Sequence, residues 1–376
     1  MKSPFVFGKI AEGDCFTDRE TESALLCNNF HNLTNTVLIS PRRWGKSSLV
    51  HKARAMAEAK HKDLKTCELD LFNVRSESEF YIKFASEVLK ATSSKWEEIW
   101  SSARRFLSSF VPSISVGDPL DSVKISFSVL PSRQEADDIL DLAERIAIQK
   151  KISLVICIDE FQQIANFNES DSFQAKLRSH WQKHQHVAYC LYGSKRHMLT
   201  DIFTSPGKPF YKFGQNIFLE KIDESLWPGF IVSRFSSTGK TISLSQAERI
   251  VSLVDNNPYY IQQLCEMIWN RVEHSCTDEA VEDAFSALIA SQAVFNLALT
   301  QTLTLTQQNL LHAIVDGKTK LSSTEVMQQY GLKNSLTVQR AKKALAGMDI
   351  IDDFGKSITL EDPVYAWWLK NIYFSL

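Results

Sequence analysis

The chain contains no Cys-x-x-Cys pair. Its seven cysteines (Cys15, Cys27, Cys67, Cys157, Cys190, Cys265 and Cys276) are scattered and odd in number. Cys157 and Cys190 fall inside apolar runs, so the pattern predicts reduced thiols rather than disulfides or zinc ligands. The nine histidines show no ligand spacing. No apolar run is read as long enough to span a bilayer, and the N-terminus lacks the h-region of a signal peptide. A cytoplasmic protein with no membrane partner is therefore expected. The formal net charge of −2 excludes a generally basic nucleic-acid coat but leaves room for a local basic patch. Neither an internal repeat nor a long low-complexity tract is present. A length of 376 residues suggests two or three domains.

What is present is a phosphate-loop pattern with one departure. Ser40-Pro41-Arg42-Arg43-Trp44-Gly45-Lys46-Ser47-Ser48 ends in the required Gly-Lys-Ser, but Ser40 stands near the place of the first glycine. Thr36-Val37-Leu38-Ile39 before it reads as a buried parallel strand. Ser47 to Lys60 after it reads as a helix, with Leu49, Val50, Ala53 and Ala57 at helical spacing. A helix N-terminus offers free N–H groups and a partial positive charge to a phosphate. Gly45 allows close backbone approach. Lys46 would reach the β- and γ-phosphates, and the Ser47 hydroxyl would bind Mg²⁺. The competing reading is a basic strand-to-helix turn that binds nothing.

Strands and helices alternate from there to about residue 220, which predicts a parallel α/β sheet covered on both faces. Expected strands are 66–71, 153–158, 187–192 and 216–219. Expected helices are 78–90, 134–150 and 172–183, after a first helix that reaches Asn32 and is capped by Thr17 or Asp18. Residues 93–132 break the rhythm. They read as an insertion with an amphipathic helix (96–110) and a hairpin (111–116 and 123–129). Helices dominate from 221 to 298, and three short helices and a hairpin follow over 299–376, the winged-helix pattern.

Leu154-Val155-Ile156-Cys157-Ile158-Asp159-Glu160 is an apolar strand that ends in two acids. It places carboxylates at the carboxyl edge of the sheet, where ligands bind in open α/β folds. Asp159 would hold the Mg²⁺ shell, and Glu160 would orient or activate the attacking water. Ser194, at the end of the next apolar strand, would touch the γ-phosphate. Arg196 would help neutralise charge there. An acidic loop and a solvated basic turn are the plain alternatives.

These motifs resemble the AAA+ branch of P-loop ATPases, and more narrowly the prokaryotic archaeal-type ATPase family, relatives of STAND NTPases and origin-recognition initiators. Phe16-Thr17-Asp18-Arg19-Glu20 is similar to that family's Phe-x-x-Arg-Glu box, which lies near the adenine. Pro41-Arg42-Arg43-Trp44-Gly45-Lys46-Ser47-Ser48-Leu49 resembles its phosphate loop. Ile158-Asp159-Glu160-Phe161-Gln162 is similar to its second acidic motif, and Tyr192-Gly193-Ser194 to its sensor strand. Asp255-Asn256-Asn257-Pro258 resembles the lid segment whose proline packs near the base, with Asn256 in place of a glycine. Glu361-Asp362-Pro363 and the aromatic residues after it resemble the terminal signature. The resemblance implies a five-stranded parallel core, a helical lid and a C-terminal winged helix, with ATP or ADP and Mg²⁺ as ligands. It names no client.

Three functions follow as expectations: a Mg²⁺-dependent ATPase acting as a switch on its winged helix, a scaffold that binds nucleotide without turnover, and a DNA-binding regulator. Gln339, Arg340, Lys342 and Lys343 on the third winged-domain helix favour DNA. Asp349, Asp352 and Asp353 beside them oppose it, leaving a protein partner as the alternative. Arg42 and Arg43 would pair with acids or reach the phosphate of a neighbouring subunit in a homo-oligomer. Trp44 reads as packing against the lid.

Overall fold

The computed structural model describes residues 2–93, 95, 98, 101, 105, 113–116, 123–126, 133–354 and 357–375. The chain divides into two compact units, one of residues 19–41 and 46–220, the other of 1–18, 42–45 and 221–376.

The first unit runs α1 (Glu20–His31), β1 (Thr36–Ile39), α2 (Lys46–Lys60), β2 (Leu64–Asp70), α3 (Glu77–Ala91), β3 (Ser113–Val116) and β4 (Val123–Ser126). It continues with α4 (Arg133–Leu140), α5 (Leu142–Lys150), β5 (Ser153–Asp159), α6 (Ser170–Trp181), β6 (Val187–Gly193), α7 (Arg196–Thr204) and β7 (Gln215–Phe218). Five strands form one parallel sheet in the order β2-β5-β6-β1-β7. Every residue of β1 and β6 is buried, as expected for strands covered on both faces. The register sets Asp70 beside Asp159 and Ile39 beside Gly193, so these strand ends share one edge. Trp181 anchors one face of the sheet, stacked on Tyr189 with ring centroids 4.0 Å apart.

The five-stranded parallel core read from the sequence is therefore present, with two local differences. The expected 134–150 helix breaks at Asp141. That carboxylate accepts from His180 Nδ1 (2.7 Å) and His184 Nε2 (3.3 Å), so the residue serves tertiary contacts where aspartate is already a weak helix former. The α1 helix has no Thr17 or Asp18 cap. Arg19 precedes it in a left-handed conformation (φ 68°), and its buried guanidinium donates to Glu22 (2.8 Å) and the Glu220 carbonyl (2.6 Å). The β3–β4 hairpin pairs antiparallel, from Ser113 with Ser126 to Val116 with Val123. The expected 96–110 helix falls almost entirely outside the described residues.

The second unit is helical: α8 (Leu226–Ser236), α9 (Leu244–Leu253), α10 (Pro258–Arg271), α11 (Asp278–Thr302), α12 (Leu305–Val315), α13 (Thr324–Gln329) and α14 (Ser335–Gly347). A short hairpin, β8 (Ile351–Asp352) with β9 (Thr359–Leu360), precedes α15 (Pro363–Trp368). Ser243 with Gln246 and Thr304 with Gln307 form capping boxes that start α9 and α12. Asn257 caps α10, whose first residue is Pro258. Asn256 explains its own departure from glycine. It is left-handed (φ 55°), which asparagine tolerates better than most residues, and its buried Nδ2 donates to the Ile222 carbonyl at 2.6 Å.

The α11 helix runs to Thr302, past the expected boundary at residue 298. By length and composition it is long and apolar enough to cross a membrane, with a mean hydropathy of 1.2 over 18 residues. This differs from the sequence expectation, because Ser286, Ser291, Gln292 and Asn296 interrupt the apolar run without adding charge. A share of 33% of that window is buried inside the protein. Thr300 is among its buried residues and meets the Tyr365 hydroxyl at 2.8 Å.

Candidate functional site

The site begins where β1 ends. Ser40 is fully buried, and its hydroxyl donates to the Pro41 carbonyl at 3.0 Å. Ser40 is not among the residues with positive φ, so its backbone does not require the glycine usual at this place. The demanding positions come later in the loop, at Arg43 (φ 67°) and Gly45 (φ 84°). Lys46 then opens α2, and no acidic residue occupies the first turn of that helix. An uncompensated helix N-terminus of this kind favours an anion.

Across the sheet edge, Ser47 Oγ donates to Asp159 Oδ2 at 3.1 Å, and the Glu160 backbone N–H donates to Asp159 Oδ1 at 2.8 Å. Burial pushes the Asp159 carboxyl up to about 6, partly opposed by the positive charge of Lys46. A carboxylate held in so unfavourable a place gains from a cation. Mg²⁺ takes oxygen ligands at about 2.0–2.1 Å in octahedral geometry, so adjacent ligands stand about 3 Å apart. The Ser47 and Asp159 oxygens already have that spacing, and both are hard oxygen donors. The residues present therefore fit Mg²⁺.

Glu160 follows in a left-handed conformation (φ 53°). Its Oε2 accepts from Ser194 Oγ at 3.0 Å and also from Gln162 Nε2. Ser194 sits between the end of β6 and α7, whose first residue is Arg196. Lys46, Ser47, Asp159, Glu160 and Ser194, which are far apart in sequence, thus belong to one carboxyl edge of one sheet. Sequence reasoning gave Gln162 no role. Its only signal was its place two residues after Glu160.

Arg43 has partners of its own. Its guanidinium donates to the Tyr260 hydroxyl (3.1 Å) and to Asp362 Oδ2 (3.2 Å), and lies 4.6 Å from the Tyr259 ring centre. The other Asp362 oxygen, Oδ1, caps α15 by accepting from Val364 and Tyr365 N–H. Burial and the Asp362 carboxylate push the Tyr260 phenol upward, so it stays a donor. Within this chain Arg43 pairs with an acid, Asp362. Arg42 is exposed and Trp44, Ser48 and Phe16 are more enclosed, with Ser48 buried. Phe16 and Pro258 belong to the same unit as Arg42, Trp44 and Gly45, while Arg19 belongs to the sheet unit.

The raised Asp159 carboxyl makes the stability of the fold depend on pH. Its folded pKa lies above the ordinary 3.8, so the ionised form costs stability in full at pH values above about 6, and the cost fades as pH falls from 6 toward 3.8. The group is partly solvated, which limits the cost to on the order of 1–2 kcal/mol. At pH 8, without metal or nucleotide, Asp159→Asn is expected to melt a few degrees above the wild type, and the gap is expected to narrow to about half at pH 5. Scanning calorimetry at both pH values checks this, and a lower melting temperature for the variant at pH 8 would contradict it.

Comparison with known proteins bears on the fold that carries this site. A family model described as "Probable winged helix domain" matches residues 294–371. No curated protein matches the sequence. Among solved structures, the chain is similar to a Walker-type ATPase of Pyrococcus abyssi, with TM-score 0.70 and 16% identity over 97% of this chain and 99% of that one. It is also similar to the Aeropyrum pernix ORC2 protein, solved as ADPNP–ADP complexes, with TM-score 0.62 and 14% identity over 99% of this chain and 96% of that one. The Aeropyrum pernix ORC1 protein in complex with DNA matches with TM-score 0.52 and 12% identity over 100% and 99% of the two chains. At these identities the likeness establishes the fold alone: a parallel five-stranded α/β core like that of these proteins, followed by helices and a C-terminal segment that matches a winged helix domain.

Proposed function

We propose that this protein binds ATP with Mg²⁺ at the Ser40–Ser48 loop, hydrolyses it, and uses the change of nucleotide to act on its winged helix. The observation that carries the reading is the 3.1 Å contact of Ser47 with Asp159, beside a Glu160 held by Ser194. Lys46 and the free N–H groups of α2 would hold the phosphates. Ser47 and Asp159 would hold Mg²⁺, which when bound neutralises phosphate charge. Glu160 would accept a proton from water as the water oxygen bonds the γ-phosphorus and the bond to the ADP oxygen breaks. Ser194 Oγ, which donates its one proton to Glu160, would stand beside the γ-phosphate.

Arg43 supports the switch. It lies three residues before Lys46 in the chain, yet its side chain is bonded to Tyr260, just inside α10, and to Asp362, the cap of α15. A loop that rearranges around phosphate would pull on both. The ATPase reading is tested by phosphate release. Glu160→Gln is expected to lower kcat by about 100-fold or more while ATP still binds. Equal background rates in variant and wild type, with binding retained, would leave the scaffold that binds without turnover.

A second reading, binding of duplex DNA, draws on exposure along α14. Gln339, Arg340 and Lys343 are exposed, while Lys342 is half-buried and pairs with Asp353 at 3.3 Å. That pairing takes one basic group away from the surface and one opposing acid with it. Arg340→Ala with Lys343→Ala is expected to weaken binding to a duplex at low salt and flatten its salt dependence. No measurable wild-type binding at low salt would remove this reading.

A further inference from the structure

Gly193 and Gln162 occupy one small space beside Glu160. A Cβ built on Gly193 would fall 1.9 Å from Gln162 Oε1 and 3.3 Å from the Glu160 Cα. The φ of Gly193 is not in the left-handed region, so backbone conformation does not call for a glycine here. What calls for it is the Gln162 side chain. Gln162 is 1% exposed, and its Nε2 donates to Glu160 Oε2, the same oxygen that accepts from Ser194. Its Oε1 is buried without a hydrogen-bond partner. A buried amide with one unsatisfied oxygen costs stability, so the contact made by its other end is held at the expense of the fold.

We infer that Gln162 is a positioning residue for Glu160, and that Gly193 is glycine to admit it. Two neutral donors fix Oε2, which sets the plane of the carboxylate and directs its other oxygen. Glu160 needs this restraint. Its backbone is left-handed, and a glutamate side chain left to itself samples many rotamers. The arrangement links the acidic strand end to the next strand through side-chain packing as well as through the sheet. The inference rests on the ATPase reading for its catalytic meaning, while the packing of Gln162 on Gly193 stands apart from it.

The test uses the full-length protein and two kinds of measurement. Gln162→Met keeps the volume and removes the donor. It is expected to lower kcat by about 10- to 100-fold, the effect of a mis-aimed catalytic group, with KM for ATP within about twofold of wild type. Gly193→Ala is expected to lower both kcat and melting temperature. Adding Gln162→Ala to Gly193→Ala is expected to restore part of the melting temperature, because the new methyl group then meets no amide and occupies part of its space, and to lower kcat no further. Wild-type kcat in Gln162→Met would overturn the inference, as would additive losses of melting temperature in the double variant. The melting-temperature cycle needs no turnover. If the wild type hydrolyses nothing, the ATPase reading fails and the cycle still decides whether Gln162 and Gly193 share this space.

Discussion

Everything proposed for this protein depends on the contact between the first turn of α2 and the end of β5. Ser47 and Asp159 are 112 residues apart and meet at 3.1 Å. That meeting requires β5 to lie two strands from β1, with β6 between them, in one parallel register. The sheet pays for it by holding Asp159 where water cannot fully solvate it, which pushes its carboxyl up to about 6. An unoffset burial of this kind is a poor stability device, and it suits the cation that the proposed function places there. The aromatic packing beneath, centred on Trp181 and Tyr189, provides the rigidity that keeps the edge in place.

Much of this was legible in the sequence because it is written in local patterns. Apolar runs marked the strands, and residues that follow a strand end are placed at the sheet edge by chain continuity alone. The placement of Lys46, Ser47, Asp159, Glu160 and Ser194 at one sheet edge was therefore readable. Ser40 looked like a defect only because a motif records residue type and not φ; the structure shows the loop's positive-φ demands at Arg43 and Gly45. Asn256 is the converse case, a non-glycine at a left-handed position that it fits through its own hydrogen bond.

What was not legible came from contacts between residues distant in sequence. Arg19 starts α1 because Glu220 and Glu22 hold its guanidinium, which no capping rule anticipates. Asp141 breaks a helix because two histidines on another segment need its carboxylate. Gln162 looked like the tail of an acidic motif, and only its approach to Gly193 gives it a role. Arg43 gave no sign in the sequence that Tyr260 and Asp362 would stand around it. These side chains carry the connections between elements, so pattern alone could find the elements but not the links.

The central claim is that the loop before α2 holds the phosphates of ATP together with Mg²⁺. Equilibrium titration of the purified protein with ATP, with and without Mg²⁺, tests it most directly when run beside Lys46→Ala. The account predicts Mg²⁺-dependent binding by the wild type that weakens by about tenfold or more in Lys46→Ala, the loss of a charge-assisted contact to phosphate. Equal affinity of the two proteins for ATP would contradict it.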